Sequence, residues 1–301
     1  MNSFRDFEDF TSPVAQDIKV IVPCPYDVSI IMSLEIGVKK GLWDCLLVGN
    51  GEKISQTLRS AEVTPFSFKL LETQNEAESL ECAISLFVRN TGSILMKGLV
   101  HTGHFLKSIL KHKYLLSSPL LTHIAVYELP GRLLFMTDGS IVVNPDLLQM
   151  KQIAINAIQS MRRLGVDEIR VALISSIETP KTTIPSSIAA SSIMTSLQEE
   201  FEGQGIEVEG PLAVDNAWSS KAAQLKALKG NVAGKANLFV MPSMDAGNVF
   251  GKCLTYIAHV PCAGLLSGLS VPVVLTSRSA DENERYNSLI LARRMLFSKH
   301  T

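Results

Sequence analysis

The sequence predicts an α/β fold in two domains, with mixed sheets flanked by helices. Three observations point to it. Between residues 18 and about 110, short apolar runs alternate with helical patterns, the strand–helix–strand order of a parallel sheet. Near residue 124 the period changes: Ile124–Glu128 and Arg132–Met136 flank Leu129-Pro130-Gly131, the pattern of an antiparallel hairpin and of the passage into a second domain. From Asn237 to Arg278 the chain then runs strand, small-residue loop, helix and strand again.

Taken in order, residues 1–17 read as a leader helix or arm. Ile18–Val22 is a strand, and Asp27 caps a helix that runs to Lys40 and stops at Gly41. Cys45–Val48 is the next strand, ending in Gly49-Asn50-Gly51. Glu76–Phe87 is a helix that Asn75 caps, followed by strand Ile94–Met96 and a helix from about Gly103. Beyond the hairpin, Asn144-Pro145 has the signature of a helix start, with Asn at the cap and Pro in the first turn. Leu147, Met150, Ala154, Ala157, Ile158 and Met161 make its buried stripe and Gly165 closes it. Strand 170–174, a helix over about 187–202 and strand 206–209 continue the alternation, and 230–234 is a loop. Leu238–Met241 is a buried strand ended by Pro242. After the loop 243–247, the residues Val249, Phe250, Cys253, Leu254, Ile257 and Ala258 are expected to form the buried face of a helix. Val271–Thr276 is a second buried strand, and a last helix spans about 282–297.

Composition narrows the function classes. With 46% hydrophobic and 19% charged residues the 301-residue chain has a substantial core, and a net charge of -1 predicts no broad basic surface for nucleic acid. The five cysteines, Cys24, Cys45, Cys82, Cys253 and Cys262, are scattered and form no CxxC pair, which fits a reducing cytoplasm and neither a disulfide framework nor a zinc site. The N-terminus is acidic and lacks the apolar core of a signal peptide. No apolar run reaches the roughly 18–20 residues of a membrane span, since 253–276 is broken by His259, Pro261 and Gly264. A cytoplasmic protein with no membrane or nucleic-acid partner is expected.

The chemistry concentrates where strands end. The loop before the helix at 248 brings backbone N–H groups to a helix start, where an anion is welcome, with Lys252 adding positive charge. The strand 271–276 delivers Ser277-Arg278, a hydroxyl beside a guanidinium. Asp245-Ala246-Gly247-Asn248 with Lys252, the segment Ala263-Gly264-Leu265-Leu266 with Gly268, and Val271 to Arg278 together resemble the phosphate acetyl/butyryltransferases. The resemblance resumes at Leu95-Met96-Lys97-Gly98-Leu99-Val100, at Asn144-Pro145-Asp146 and at Gly210 to Asn216, so it covers most of the chain from Ile94 in one order.

The resemblance implies an isocitrate/isopropylmalate dehydrogenase-like fold with a cleft between domains. The first domain would comprise 1–125 and 271–301, the second 126–270. It also implies the reaction acyl-CoA plus phosphate to acyl phosphate plus CoA, by direct transfer in a ternary complex, in a homodimer. Coenzyme A is then a substrate, and no metal or redox cofactor is needed. Residues 95–100 and 245–252 are nearer the butyryl branch than the acetyl one; a phosphate acetyltransferase and a non-catalytic CoA- or acyl-phosphate-binding relative are the alternatives.

On this reading Ser277 polarises the thioester carbonyl and Arg278 holds phosphate oxygens in a fork. A carboxylate seven positions beyond the serine, here Glu284, takes the thiol proton, although Ser279-Ala280 replaces the Gly-Cys of the acetyl branch, and the charged first turn 281–284 equally suits the helix dipole. Lys97, Thr102 and Lys107 stand at a second strand-to-helix passage. Relatives usually carry arginine at the position of Lys107, and His104 stands where the butyryl branch tends to have Asp; a basic solvated helix face is the competing account of Lys107. Asp215, Asn216, Gly247, Asn248 and Lys252 carry over as substrate-binding, with a capping role equally open for the polar loop residues. The His101/His104 pair has ligand-like spacing but no companion carboxylates or cysteines, and no metal is assigned to it.

Overall fold

The computed structural model describes residues 2–10, 18–64, 67–90 and 92–297. Of the expected leader 1–17, residue 1 and residues 11–17 therefore lie outside the described residues, and the short helix α1 (Phe4–Glu8) is what is seen. In chain order β1 (Lys19–Pro23), α2 (Val28–Lys39), β2 (Asp44–Gly49), α3 (Gly51–Ser60) and β3 (Lys69–Glu72) come next. They are followed by α4 (Glu76–Arg89), β4 (Ser93–Met96) and α5 (Thr102–Leu110). The hairpin is β5 (Thr122–Leu129) and β6 (Arg132–Thr137), then α6 (Leu147–Arg163), β7 (Ile169–Ile174), α7 (Pro185–Glu200) and β8 (Ile206–Leu212). Two short helices, α8 (Val214–Trp218) and α9 (Ser220–Leu225), precede β9 (Leu238–Val240) and α10 (Met244–Lys252). The chain closes with β10 (Cys262–Ser267), β11 (Val273–Val274) and α11 (Glu282–Leu296).

The chain forms two compact units, one built on Ser118–Cys262 and one on Phe4–Ser117 with Ala263–Thr301. In the latter the strand order is β3-β2-β1-β4-β11-β10. All neighbours are parallel except β10 and β11. In the former the order is β5-β6-β9-β7-β8, parallel except for the hairpin. The hairpin pairs Leu129 with Arg132 across Pro130-Gly131, and Gly131 takes φ +83°, a turn conformation that glycine alone adopts without penalty.

Local chemistry explains the helix starts. Asp27 accepts the Ser29 amide at 2.9 Å and Asn75 the Glu78 amide at 3.0 Å. At α6 the start lies two residues beyond Asn144-Pro145, because Asp146 and Gln149 cap reciprocally: the Asp146 side chain takes the Gln149 amide at 2.8 Å while the Gln149 side chain takes the Asp146 amide at 3.0 Å. Elements α3 and β3 are additions to the expected order. Asn50, read only as the end of a strand, caps α3.

The face assigned to the helix after residue 248 is the main correction. Val249 is 63% and Ile257 76% exposed, and Cys253 and Ala258 are exposed as well. The buried side is made by glycines. A Cβ on Gly247 would lie 2.7 Å from the Asp138 carbonyl oxygen, and one on Gly251 2.3 Å from the Tyr127 hydroxyl. Close approach of the α10 backbone to the Asp138 backbone and to the Tyr127 side chain sets the rotation of α10, and only Phe250 and Leu254 of the expected stripe pack on the core. Beyond Lys252 the helix continues as a π-helical turn, Cys253–Ile257.

Among the described residues no helix is long and apolar enough to cross a membrane.

Candidate active site

Adjacent parallel strands β4 and β11 end together. Val273 pairs with Leu95 and Val274 with Met96, and the Lys97 amide donates to the Val274 carbonyl at 3.0 Å. Lys97 and the segment Leu275–Arg278 therefore leave the sheet side by side, at the carboxyl ends of strands, where open α/β sheets hold ligands. Gly98 is required directly after Lys97, since a Cβ there would fall 1.9 Å from the Pro23 carbonyl oxygen.

Ser277 and Arg278 are both exposed at their side chains. The turn they begin is closed by the Ala280 amide on the Ser277 carbonyl at 3.3 Å, and the Ser277 hydroxyl lies 3.0 Å from that of Ser279. Asp281 caps α11 by accepting the Glu284 amide at 2.8 Å, which sets Glu284, half-buried, in the first helical turn.

Beneath the turn lies a residue the sequence reading passes over. Arg285 is 3% exposed. Its Nε donates to Ser29 Oγ at 2.9 Å and one terminal nitrogen to Thr276 Oγ1 at 2.9 Å. The other donates to the carbonyls of Ser277 at 3.4 Å and Arg278 at 3.3 Å. Burial disfavours its charge, while Asp27, Glu284 and Asp281 favour it. The available signal was a basic residue inside an otherwise apolar helix stripe, with Tyr286, Leu289 and Ile290 beside it.

Lys97 is 4% exposed, its ammonium donating to the carbonyls of Gly98 at 3.2 Å and Val100 at 3.3 Å. Burial first, then the charges of Arg285 and Arg278, lower its pKa to about 8. Lys97, Arg278 and Arg285 thus share one electrostatic neighbourhood, in which the two arginines press on the lysine ammonium while Asp27, Glu284 and Asp281 favour the charge of Arg285.

Thr102 opens α5 and is exposed, behind His101, whose ring Nδ1 accepts the Gly103 amide at 3.3 Å. Lys107 is exposed on the same helix and lines a cavity of about 780 Å³ with Lys111, His104 and His112, opposite Glu76 and Glu81 of α4. His104 Nδ1 is 2.9 Å from Glu76 Oε1, and its ring lies 5.4 Å from that of His101. Among the described residues no group of three or more His, Cys, Asp or Glu side chains is arranged to hold a metal ion.

In the other unit, Asn216 is fully buried. Its side-chain amide donates to Glu178, its carbonyl accepts the Gly234 amide at 2.6 Å, and its Oδ1 is buried with no hydrogen-bond partner among the described residues. Asp215 stands 3.5 Å from Lys226, which also meets Glu178 at 2.8 Å. Glu178 and Lys226 were not foreseen.

At α10, three amides near the helix start are engaged: Met244 to the Val143 carbonyl at 3.0 Å, Ala246 to Ser243 Oγ at 3.3 Å and Gly247 to the Ser243 carbonyl at 3.1 Å. Asn248 donates to the Gly139 carbonyl at 3.1 Å. Lys252 closes the helix, about 12 Å along the axis from its first residue at 1.5 Å per residue, rather than standing one turn in.

The family model for phosphate acetyl/butaryl transferase matches residues 66–293, which contain every candidate from Lys97 to Glu284. The chain belongs to the phosphate acetyl/butaryl transferase family. It is 33% identical over 277 residues to a phosphate butyryltransferase of Clostridium acetobutylicum, covering 91% of this chain and 92% of that one. It is 32% identical over 275 residues to a phosphate acetyltransferase of Rhizobium meliloti, covering 90% and 87%. A solved branched-chain phosphotransacylase from Enterococcus faecalis superposes with a TM-score of 0.82 at 28% identity, over 94% of this chain and all of the other.

Within this acyltransferase family the titration of Lys97 is open to direct measurement. Its pKa, about 8 when folded, is below the ordinary 10.5, so the unfolded chain binds more protons between those values. Stability should rise with pH through that window, and the penalty is in full force below about pH 8. Urea unfolding from pH 7 to 10 should show this rise in the wild type and its loss in Lys97→Met; parallel curves for the two proteins would refute the assignment.

Proposed function

We propose that the protein transfers a short acyl group reversibly between coenzyme A and inorganic phosphate. The observation that carries this is the Ser277–Arg278 turn, both side chains outward, set over the buried cations Lys97 and Arg285 in a chain of this family. An oxygen of hydrogen phosphate attacks the thioester carbonyl carbon, the C–S bond breaks, and the phosphate's proton passes by way of Glu284 to the leaving sulfur, giving acyl phosphate and CoA as the thiol. Ser277 donates to the carbonyl oxygen as it becomes an oxyanion, and Arg278 holds two phosphate oxygens. In the reverse direction Glu284 takes the CoA thiol proton. The positive neighbourhood of Lys97 offsets the charge that phosphate brings. Thr102 and Lys107 supply a further donor and charge on α5, where lysine keeps the charge but not the fork of an arginine.

Asp215, Asn216, Gly247, Asn248 and Lys252 stay with substrate binding on family likeness. For Asn216, Gly247 and Asn248 the described contacts support a role in shaping their loops. The reaction calls on hydrogen-bond donors, cations and a base, so coenzyme A enters as substrate and no resident cofactor is required.

Butyryl or branched acyl groups are the favoured substrates, supported by residues 95–100 and 245–252 and by the names of the clostridial and enterococcal proteins. Five free cysteines support a reducing, cytoplasmic setting. A homodimer is favoured by family likeness and by the exposed apolar residues Val249, Tyr256 and Ile257.

Thiol release from butyryl-CoA and acetyl-CoA, with and without phosphate, tests the reaction. Phosphate-dependent release with higher catalytic efficiency for butyryl-CoA is expected. Higher efficiency with acetyl-CoA would reverse the substrate preference, and no phosphate-dependent release with either would overturn the function. Arg278→Ala should lower efficiency in phosphate roughly ten- to hundredfold, as for a lost charged hydrogen bond of about 1.5–3 kcal/mol, with CoA affinity nearly intact. Lys107→Ala should lose less and Lys107→Arg should be tolerated; unchanged phosphate dependence in Lys107→Ala would assign Lys107 to the solvated face of α5. Light scattering at assay concentration should give a dimer, and a monomer would refute it.

A further inference from the structure

Both carbonyls of the Ser277–Arg278 pair are held from below by one side chain. The four hydrogen bonds described for the Arg285 guanidinium all end on neutral oxygens: Ser29 Oγ, Thr276 Oγ1 and the carbonyls of Ser277 and Arg278. These acceptors come from two elements, the start of α2 and the exit of β11. Ser29 is itself fixed, with Oγ 2.5 Å from Asp27 Oδ1 and 3.2 Å from the Ala280 carbonyl. Asp27 also caps α2. The guanidinium thus joins one helix start, the last residues of a buried strand and the turn that carries the outward hydroxyl and guanidinium.

With two successive carbonyls drawn inward, the peptide planes of the turn have little freedom to rotate. A guanidinium performs this task because its donors are coplanar and fixed; an ammonium brings the charge without the fork. Burying this cation carries a desolvation penalty that an apolar side chain would avoid, offset in part by the nearby carboxylates of Asp27, Glu284 and Asp281.

We propose that Arg285 is a positioning residue of the transfer reaction, orienting Ser277 and Arg278 by holding their backbone carbonyls while touching no substrate itself. This rests on Ser277 and Arg278 acting in the reaction. Arg285→Lys separates geometry from charge. It keeps the positive field under the turn and removes the forked contact, so kcat per folded enzyme should fall roughly tenfold or more while CoA affinity stays within about twofold. Ser29→Ala and Thr276→Val each remove one anchor of the guanidinium and should give smaller losses in the same parameter.

The deciding measurement is a double-mutant cycle, with every rate normalised to folded protein by CoA-binding stoichiometry. If Arg285 acts through Arg278 and Ser277, Arg285→Lys should cost far less in the Arg278→Ala or Ser277→Ala background than in the wild type. A purely structural role would instead give additive losses, and additivity overturns the proposal. Full activity of Ser277→Ala and Arg278→Ala would remove the reading on which it rests; large single losses there with a wild-type kcat in Arg285→Lys would overturn the positioning role alone. Should Arg285→Lys not fold, the same cycle run with Thr276→Val decides on the same criterion.

Discussion

A guanidinium does not give up its proton at any pH a protein survives, so the one at Arg285 had to be buried charged. That constraint organises the surrounding chain. Its donors require oxygens in fixed places, and these are provided by the end of β11, the turn after it and the first turn of α2. The carboxylates of Asp27, Asp281 and Glu284 favour its charge from the starts of the same two helices. Two helix N-termini, each with its own cap, converge on a positive centre, and the exposed turn inherits a fixed shape.

The same centre explains Lys97. An ammonium in this neighbourhood is pressed by burial and by two arginines, and its two described acceptors are carbonyls. On the proposed function, a phosphate bound at the Ser277–Arg278 turn would relieve the repulsion that the two arginines exert on this ammonium.

Much of this was legible in the sequence where the controlling interactions are local. Asp27 and Asn75 act within three residues, so their caps could be read directly. The hairpin at Pro130-Gly131 announced itself in the same way. The start of α6 was misplaced by two residues because Asn144-Pro145 and Asp146 with Gln149 are both capping sequences, and only the second closes reciprocally. Strand β3 is short, largely exposed and carries Lys69 and Glu72 at the sheet edge, so neither its burial nor its periodicity stands out. Two further misses are non-local. The packing of α10 depends on what a missing Cβ allows at Gly247 and Gly251, which hydrophobic periodicity does not record. The role of Arg285 depends on Ser29, 256 positions away in the chain.

Strand β11 is only two residues long. Few ladder bonds therefore hold the segment that carries Ser277 and Arg278, and one of them, from the Lys97 amide to the Val274 carbonyl, ties it to the strand that carries Lys97. In hydrogen exchange the Lys97 amide is thus a reporter of how often that edge of the site comes apart. Its protection measures a local opening that would separate the lysine from the serine–arginine turn without unfolding either sheet. A ligand bridging the two would slow that exchange, so the lifetime of one backbone hydrogen bond would report whether the lysine and the turn are held by a common ligand.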